Sequence, residues 1–377
     1  MSLELEKMPK LGFGLMRLPE KDGEIDVQQV CNMMDTYMEK GFNYFDTAYM
    51  YCNGKSECVV KEALVQRYPR ESFYLTNKLP QWMMNGIEDR DKIFSDQLKK
   101  TGVDYFDLYL LHSVEDGANY EGYIKYDCFN WAMKKKEEGK IKHFGFSYHG
   151  TPELLDQILS EHPEVEIVQI QLNYADWENP LVQSGKLYEV LRKYKKPILV
   201  MEPVKGGSLA ELTPAIEQQM KKERPNSSIA SWALRFAASL PGVVTVLSGM
   251  STESQMQDNL NTFLNFEPMT DNEYKILSSV VKEMEKMPRI ACTSCRYCCD
   301  GCPSNIAIPD VIKALNALRI YGEHTRPHSF YEKLIQNSGR ARDCIECKQC
   351  ENVCPQHLPI TEYLKEASEK LDIEKKK

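Results

Sequence analysis

The sequence has 377 residues, 55 acidic against 47 basic, for a formal charge of −8. That length suits one large α/β domain of about 250 residues plus a smaller module, and the acidic balance, with no basic stripe, argues against a nucleic-acid or anionic-membrane surface. No run approaches the ~18 apolar residues of a membrane span, and the opening MSLELEKMPKLGFG lacks a basic segment followed by an apolar core, so no signal peptide is expected and a cytoplasmic protein is.

From residue 11 to about 250, short apolar runs alternate with longer amphipathic stretches. Eight strands are predicted: Leu11–Met16, Asn43–Asp46, Phe73–Asn77, Asp107–Leu111, Lys142–Ser147, Ile167–Gln171, Ile198–Glu202 and Val243–Leu247. Helical spacing is read over Val27–Lys40, Ser56–Arg67, Ile87–Thr101, Asp127–Glu138, Pro152–Glu161, Leu181–Tyr194 and Ser228–Ala238. Eight βα units in series point to an α/β fold, a closed (β/α)₈ TIM barrel with its site in the loops after the strands. An open doubly wound sheet is the alternative, but Gly12 and Gly14 are followed by Arg17 where its third fingerprint glycine belongs, and Pro19 and Asp22-Gly23 break the chain before a helix. After a last amphipathic helix, Asp271–Met287, composition changes; the barrel is assigned to 1–287 and a small, mainly helical module to 288–377, with the lysine run Lys375–Lys377 as a solvated tail.

Ionisable residues stand where predicted strands end. Asp46 closes the second, Lys78 follows the third in FYLTNK, His112 follows the fourth in YLLH, and Tyr51 lies five positions past Asp46. A lone histidine or an Asp–Lys pair is ordinarily structural; four such groups at one rim suggest proton transfer to a developing alkoxide. A tyrosine with a pKa near ~10 needs a nearby cation to act at neutral pH. Lys78 can supply that charge, Asp46 can hold Lys78 protonated, and His112 can orient the substrate oxygen.

These residues, in this order, resemble the aldo/keto reductase family, whose members use an Asp, Tyr, Lys, His tetrad on a (β/α)₈ barrel with a nicotinamide cofactor. The resemblance runs from about Leu11 to Phe266 and rests on the D-x₄-Y spacing, the lysine after the third strand and the LLH histidine. It implies an oxidoreductase acting on a small-molecule carbonyl or alcohol with NADPH or NADH. It implies that Ser147 and Gln169 meet the nicotinamide carboxamide, that Lys205, Gly206 and Gly207 in EPVKGGSL wrap the pyrophosphate, and that Gln255 and Asn259 contact adenosine. Three departures stand out: Tyr148 replaces an asparagine, Met201 occupies the place of the ring that stacks on nicotinamide, and residues 249–255 hold no Lys or Arg for a 2′-phosphate. Trp82, Tyr49, Tyr148, His149 and Trp177 are read either as pocket walls or as ordinary packing aromatics.

The chain holds 13 cysteines, nine of them between Cys292 and Cys354. CTSCRYCCDGCP places Cys292, Cys295, Cys298 and Cys302 in the spacing C-x₂-C-x₂-C-x₃-C-P, and CIECKQCENVCP repeats it with Cys344, Cys347, Cys350 and Cys354. This is the bacterial ferredoxin run, whose fourth cysteine ligates the other cluster. Two [4Fe–4S] clusters are expected, one on Cys292, Cys295, Cys298 and Cys354, the other on Cys344, Cys347, Cys350 and Cys302. Zinc competes, but its sites pair C-x₂-C units rather than crowd three cysteines before a proline. Cys299 is the spare thiol; Cys31, Cys52, Cys58 and Cys128 are scattered in the barrel. Ile308–Tyr321 and Phe330–Gln336 have helical spacing, so the module resembles helical two-cluster ferredoxin domains.

Nicotinamide moves electrons in pairs and each cluster moves one, and no flavin motif links them. Three functions stay open: a hydride enzyme whose clusters are structural or contact an electron-transfer protein, a one-electron enzyme in which the clusters serve a substrate in the barrel, and a non-enzymatic nicotinamide-binding sensor or electron-transfer subunit.

Overall fold

The computed structural model describes residues 5, 7–21, 23–115, 117–179, 182–286, 290, 292, 296–321, 325–354 and 358–372. Cys295, the boundary residues 287–289 and 291, and Lys375–Lys377 lie outside the described residues. By internal contacts the chain forms two compact units, Met1–Lys205 with Ser231–Thr270, and Gly206–Ala230 with Asp271–Lys377.

In the first unit the apolar runs form eight parallel strands: β1 (Leu11–Gly14), β2 (Tyr44–Asp46), β3 (Tyr74–Leu79), β4 (Phe106–Val114), β5 (Ile141–Tyr148), β6 (Ile167–Gln171), β7 (Ile198–Met201) and β8 (Val243–Ser248). Each pairs with its sequence neighbour, and β1 pairs with both β2 and β8, which closes the barrel. Closure removes the edges of this sheet. A two-stranded hairpin, Glu20–Lys21 with Glu24–Ile25, precedes the first helix and turns at Gly23, where φ is +83°.

Helices start where side chains supply caps. Asp26 accepts the Gln29 N–H at 3.0 Å to open Val27–Glu39, and Thr151 with Pro152 opens Pro152–Glu161, each satisfying an otherwise orphaned donor. The stretch expected as one helix over 56–67 is an α-helix at Ser56–Val60 that widens to a π-helix at Lys61–Val65. Ala118–Lys125, Pro214–Glu223 and Ile360–Leu371 are helices beyond those expected, and the one expected at Phe330–Gln336 lies at Thr325–Leu334.

Side chains alternate along a strand, and that alternation sorts the barrel interior by height. Tyr44, Leu108, Leu110, Ile167, Leu199 and Leu247 form one apolar cluster. On the same faces, further along the strands, come Asp46, Lys78, His112 and Gln169. Interior packing leaves no room at Gly145, where an added Cβ would lie 2.0 Å from the Ile167 carbonyl oxygen.

The second unit is helical as described. Pro214–Glu223 and Asp271–Lys286 are tied by an ion pair between Arg224 and the buried Glu273. Ile308–Tyr321, Thr325–Leu334 and Ile360–Leu371 enclose Ile306, Val311, Leu315, Tyr331 and Leu364, with Arg319 paired to Glu366.

Gly145→Ala is expected to destabilise the barrel by about 2–3 kcal/mol, because backbone cannot yield as a side-chain tip can; a lower urea midpoint at unchanged slope would register it.

Candidate active site

At the C-terminal end of the strands one ammonium group gathers the barrel's polar residues. Lys78 is fully buried on β3, and its Nζ donates to Asp46 Oδ1 at 2.5 Å, to the Thr47 carbonyl at 2.9 Å and to the Tyr51 hydroxyl at 3.1 Å. Three donors thus meet three acceptors, which a buried cation requires. Asp46 Oδ2 accepts from Gln169 Nε2 at 3.2 Å. Gln169 stands on β6, which does not neighbour β2, so this bond crosses the barrel interior. The Tyr51 ring lies edge-on to His112 with centroids 6.0 Å apart, and Trp82 covers His112 from 5.0 Å. Asp46, Tyr51, Lys78 and His112 therefore share one site, with Gln169 behind it.

The charges pull in definite directions. Burial opposes the charge on Lys78, but Asp46 and Tyr51 outweigh it and hold the amine above its ordinary value. Burial pushes the Tyr51 phenol up, Lys78 pulls it down and Asp46 pushes it up again; the balance stays above the ordinary value, so Tyr51 is a phenol at neutral pH. His112 is driven well below 6.5 by burial first, then by Lys78 and His149. Its buried Nδ1 has no hydrogen-bond partner.

The backbone beside His112 is strained. Ser113 has φ +56°, at a register shift between β4 and β5, and its N–H donates to Ser147 Oγ at 2.7 Å. Ser147 is thus joined to the tetrad through His112's own neighbour. A bulge of this kind re-aims side chains at a strand end.

The other expected cofactor residues divide. Met201 ends β7 opposite Gln171. Lys205 forms an ion pair with the buried Asp176, and Asp176 is itself held by Gln171 and Asn173 at 2.8 Å. Gly206 and Gly207, in the second unit, have φ +61° and +100°, and an added Cβ at Gly207 would meet nothing within 4 Å. Gln255 Oε1 accepts the Ser251 N–H at 2.8 Å, and Asn259 Nδ2 donates to Ser248 Oγ at 2.8 Å, so both shape the loop after β8. Arg17, unassigned from sequence, stands beside that loop: its carbonyl accepts from Ser251 Oγ at 2.8 Å and its guanidinium lies 3.7 Å from Glu202. No spacing rule pairs residue 17 with residue 251; only the β1–β8 contact does.

Among the aromatics, Trp82 faces His112. Tyr49 instead lies under Lys100 Nζ at 4.0 Å, Tyr148 is buried with its hydroxyl on the Thr151 carbonyl, and Trp177 packs on Tyr188 and Phe236. For those three the packing reading holds.

The cysteine runs repeat in conformation as they do in sequence. Arg296 and Lys348 each adopt a left-handed conformation, with φ +65° and +61°, and each opens a four-residue helix carrying the third cysteine of its run, Tyr297–Asp300 and Gln349–Asn352. Cys302, Cys344, Cys347 and Cys350 line one concavity with Ile308 and Leu364. Among the described residues no three His, Cys, Asp or Glu side chains close on a point fit for a single metal ion; these sulphurs border a volume. The Ile306 N–H points at Cys302 Sγ from 3.5 Å. Cys292, Cys298 and Cys354 pack on the same apolar core. Burial raises Cys350 to about 11 and Cys298 to about 12, so their thiolates need a compensating cation.

A family model described as the Aldo/keto reductase family matches residues 10–282, and one described as a 4Fe-4S dicluster domain matches residues 291–358. An uncharacterized oxidoreductase of Bacillus subtilis (strain 168) is 25% identical over 306 residues, covering 73% of this chain and 93% of the relative. The 9,11-endoperoxide prostaglandin H2 reductase of Trypanosoma cruzi (strain CL Brener) is 26% identical, covering 68% of this chain and 83% of its own. Among solved structures, an aldo-keto reductase from Klebsiella pneumoniae in complex with NADPH matches in fold with a TM-score of 0.58 at 21% identity, covering 73% of this chain and 91% of that one.

His112 is expected to stay neutral well below pH 6.5. Nitrogen-15 NMR should find no imidazolium there near pH 6.5, and Lys78→Met should raise its midpoint by removing the neighbouring cation.

Proposed function

The chain belongs to the aldo/keto reductase family and is an oxidoreductase with a 4Fe–4S dicluster domain, and from that premise we propose that it interconverts a carbonyl and an alcohol by hydride transfer, with Tyr51 as the proton donor. The observation that carries this reading is the single buried ammonium of Lys78 bonded at once to Asp46, the Thr47 carbonyl and Tyr51. NADPH or NADH, when bound, supplies or accepts the hydride.

The chain's own residues do the rest. Tyr51, a phenol at neutral pH, gives its hydroxyl proton to the substrate oxygen as negative charge develops there. Lys78 Nζ stabilises the phenolate left behind, which makes the transfer favourable despite burial. Asp46 keeps Lys78 charged and aimed. His112, neutral, donates one ring N–H toward the same oxygen and so orients the carbonyl. Its partnerless Nδ1 supports that role, for a buried polar atom without a bond is one that a ligand can satisfy. Oxidation of an alcohol is the same path reversed. Ser147 and Gln169 would meet the carboxamide, with Met201 behind the ring. Lys205, Gly206 and Gly207 would serve the pyrophosphate, the lysine through the fixed Asp176 pair, and Gln255 and Asn259 the adenosine. Arg17 anchors this loop through its carbonyl, while its guanidinium stands against Glu202.

In the cysteine module we assign one cluster to Cys302, Cys344, Cys347 and Cys350 and another to Cys292, Cys295, Cys298 and Cys354, each supplying one-electron exchange when bound. The shared lining supports the crossed assignment, because Cys302 of the first run stands there with three cysteines of the second. The C-x₂-C-x₂-C-x₃-C-P run in each half suits a cluster better than one zinc ion. An electron-transfer protein is the partner class this module fits.

Tyr51→Phe should lower NADPH- or NADH-dependent reduction of a panel of aldehydes and ketones on the order of 10²–10⁴-fold while the visible absorbance of the clusters is unchanged; wild-type turnover in that variant would sink the assignment. Cys302→Ser should remove about half of the bound iron and leave nicotinamide binding intact, as iron analysis and a fluorescence titration would report.

A further inference from the structure

Lys78 is held at its backbone as well as at its ammonium. β2 stops at Asp46, which pairs with Thr76, and the Thr76 carbonyl accepts the Thr47 N–H at 3.0 Å. Lys78, two residues further along β3, turns its own N–H and carbonyl to that same side, where the neighbouring strand has ended. Unpaired peptide groups so deeply buried cost free energy. Two side chains take the missing strand's place. Asn77 Oδ1 accepts the Lys78 N–H at 2.9 Å, and Gln97 Nε2 donates to the Lys78 carbonyl at 2.9 Å. Gln97 Nε2 also donates to Asn77 Oδ1 at 2.9 Å, Tyr109 donates to Gln97 Oε1 at 2.5 Å, and Asn77 Nδ2 donates to Glu57 Oε1 at 2.8 Å. Glu57, Asn77, Lys78, Gln97 and Tyr109 are all at 0% exposure.

Glu57 is the costly member of this set. It is a carboxylic acid in the wall between barrel and helices. Its Oε2 has no hydrogen-bond partner, and Lys100 Nζ, 3.8 Å away, is its nearest cation. Burial raises its pKa, with Asn77 and Lys100 working against that rise. Its neighbour Ser56 is equally buried and works on the other side of the lysine: Ser56 Oγ meets Thr47 Oγ1 at 2.8 Å, and the Thr47 carbonyl is one of the three acceptors of Lys78 Nζ. The first turn of the helix Ser56–Val60 therefore braces Lys78 at its ammonium through Thr47 and at its peptide through Asn77.

We propose that Glu57, acting through Asn77, is a positioning residue for Lys78: it fixes the peptide from which the lysine reaches Tyr51. The inference rests on the reading of Tyr51 and Lys78 as the proton-transfer pair. Its consequence is that a side chain facing away from the substrate sets the ionisation of Tyr51. A loosened peptide lets the ammonium drift from the phenol, and the phenolate loses its nearest cation.

The test uses the full-length protein with its clusters. Tyr51 is titrated by carbon-13 NMR of ζ-labelled tyrosine, with the signal identified by its loss in Tyr51→Phe, and kcat is measured with NADPH and 4-nitrobenzaldehyde. Glu57→Ala should raise the Tyr51 midpoint by roughly one unit or more and lower kcat roughly 10-fold or more, with the NADPH dissociation constant unchanged. Glu57→Gln keeps an acceptor for Asn77 Nδ2 and should keep the wild-type midpoint. A wild-type midpoint in Glu57→Ala overturns the proposal, as does an equal shift in Glu57→Gln, which would mean that charge and not the Asn77 bond is what counts. Should Glu57→Ala fail to fold, Asn77→Ser carries the same expectation and the same overturning result. The titration needs no turnover, so inactivity toward the aldehyde with a shifted midpoint would count against the proposed reaction and not against the positioning role.

Discussion

A positive charge with no exposed surface is the constraint around which the barrel mouth is arranged. Lys78 forgoes its hydration, and a lone buried ammonium costs several kcal/mol, so each of its three N–H groups must find an acceptor in a fixed direction. One comes from the end of β2, one from the first peptide past that strand, and one from a tyrosine on the loop beyond. The loop 47–55 is bound by that demand: Tyr51 cannot swing away without leaving a donor unpaired. Three consecutive residues with positive φ, Cys52, Asn53 and Gly54, then bring the chain sharply back to the helix at Ser56. The interior below supplies the low dielectric that makes these bonds strong. Site and core are two heights of one alternating pattern.

Much of this was legible because strand ends are easy to find. Apolar runs of four to six residues located all eight barrel strands within a few residues, and the ionisable side chains at the ends of three of them brought Asp46, Lys78 and His112 to one rim. Tyr51 followed from spacing alone. The order of the four along the chain matters less than the geometry of a closed parallel barrel, which leaves adjacent strand ends nowhere to go but together.

What escaped the sequence depends on the direction in which a side chain points. Tyr49, Tyr148 and Trp177 stand at rim positions by number, yet each turns into packing, because a loop residue's aim is set by the neighbours it meets and no period announces it. Lys205 reads as a free cation beside two glycines; only the fold brings the buried Asp176 to it. Arg17 is the converse, a residue with no site role by sequence that is given a place by the contact of the first strand with the last. The π-helical turn at Lys61–Val65 is hidden for a similar reason, since its residues carry ordinary helical periodicity and the widening is imposed by packing. In the cysteine module, spacing alone picked out the eight candidate thiols. The left-handed residue that starts each short helix is an arginine in one run and a lysine in the other, neither of which advertises that conformation.

The cavity bounded by Cys302, Cys344, Cys347 and Cys350 also has walls from Thr361 and Leu364, on the C-terminal helix. Its lining is thus drawn from three separate stretches of the module, the last of them near the end of the chain. During synthesis the first thiol emerges well before its companions, and two of the walls are missing until the helix Ile360–Leu371 has left the ribosome and docked. A chain cut short ahead of that helix keeps the four thiols and loses two of the walls that surround them.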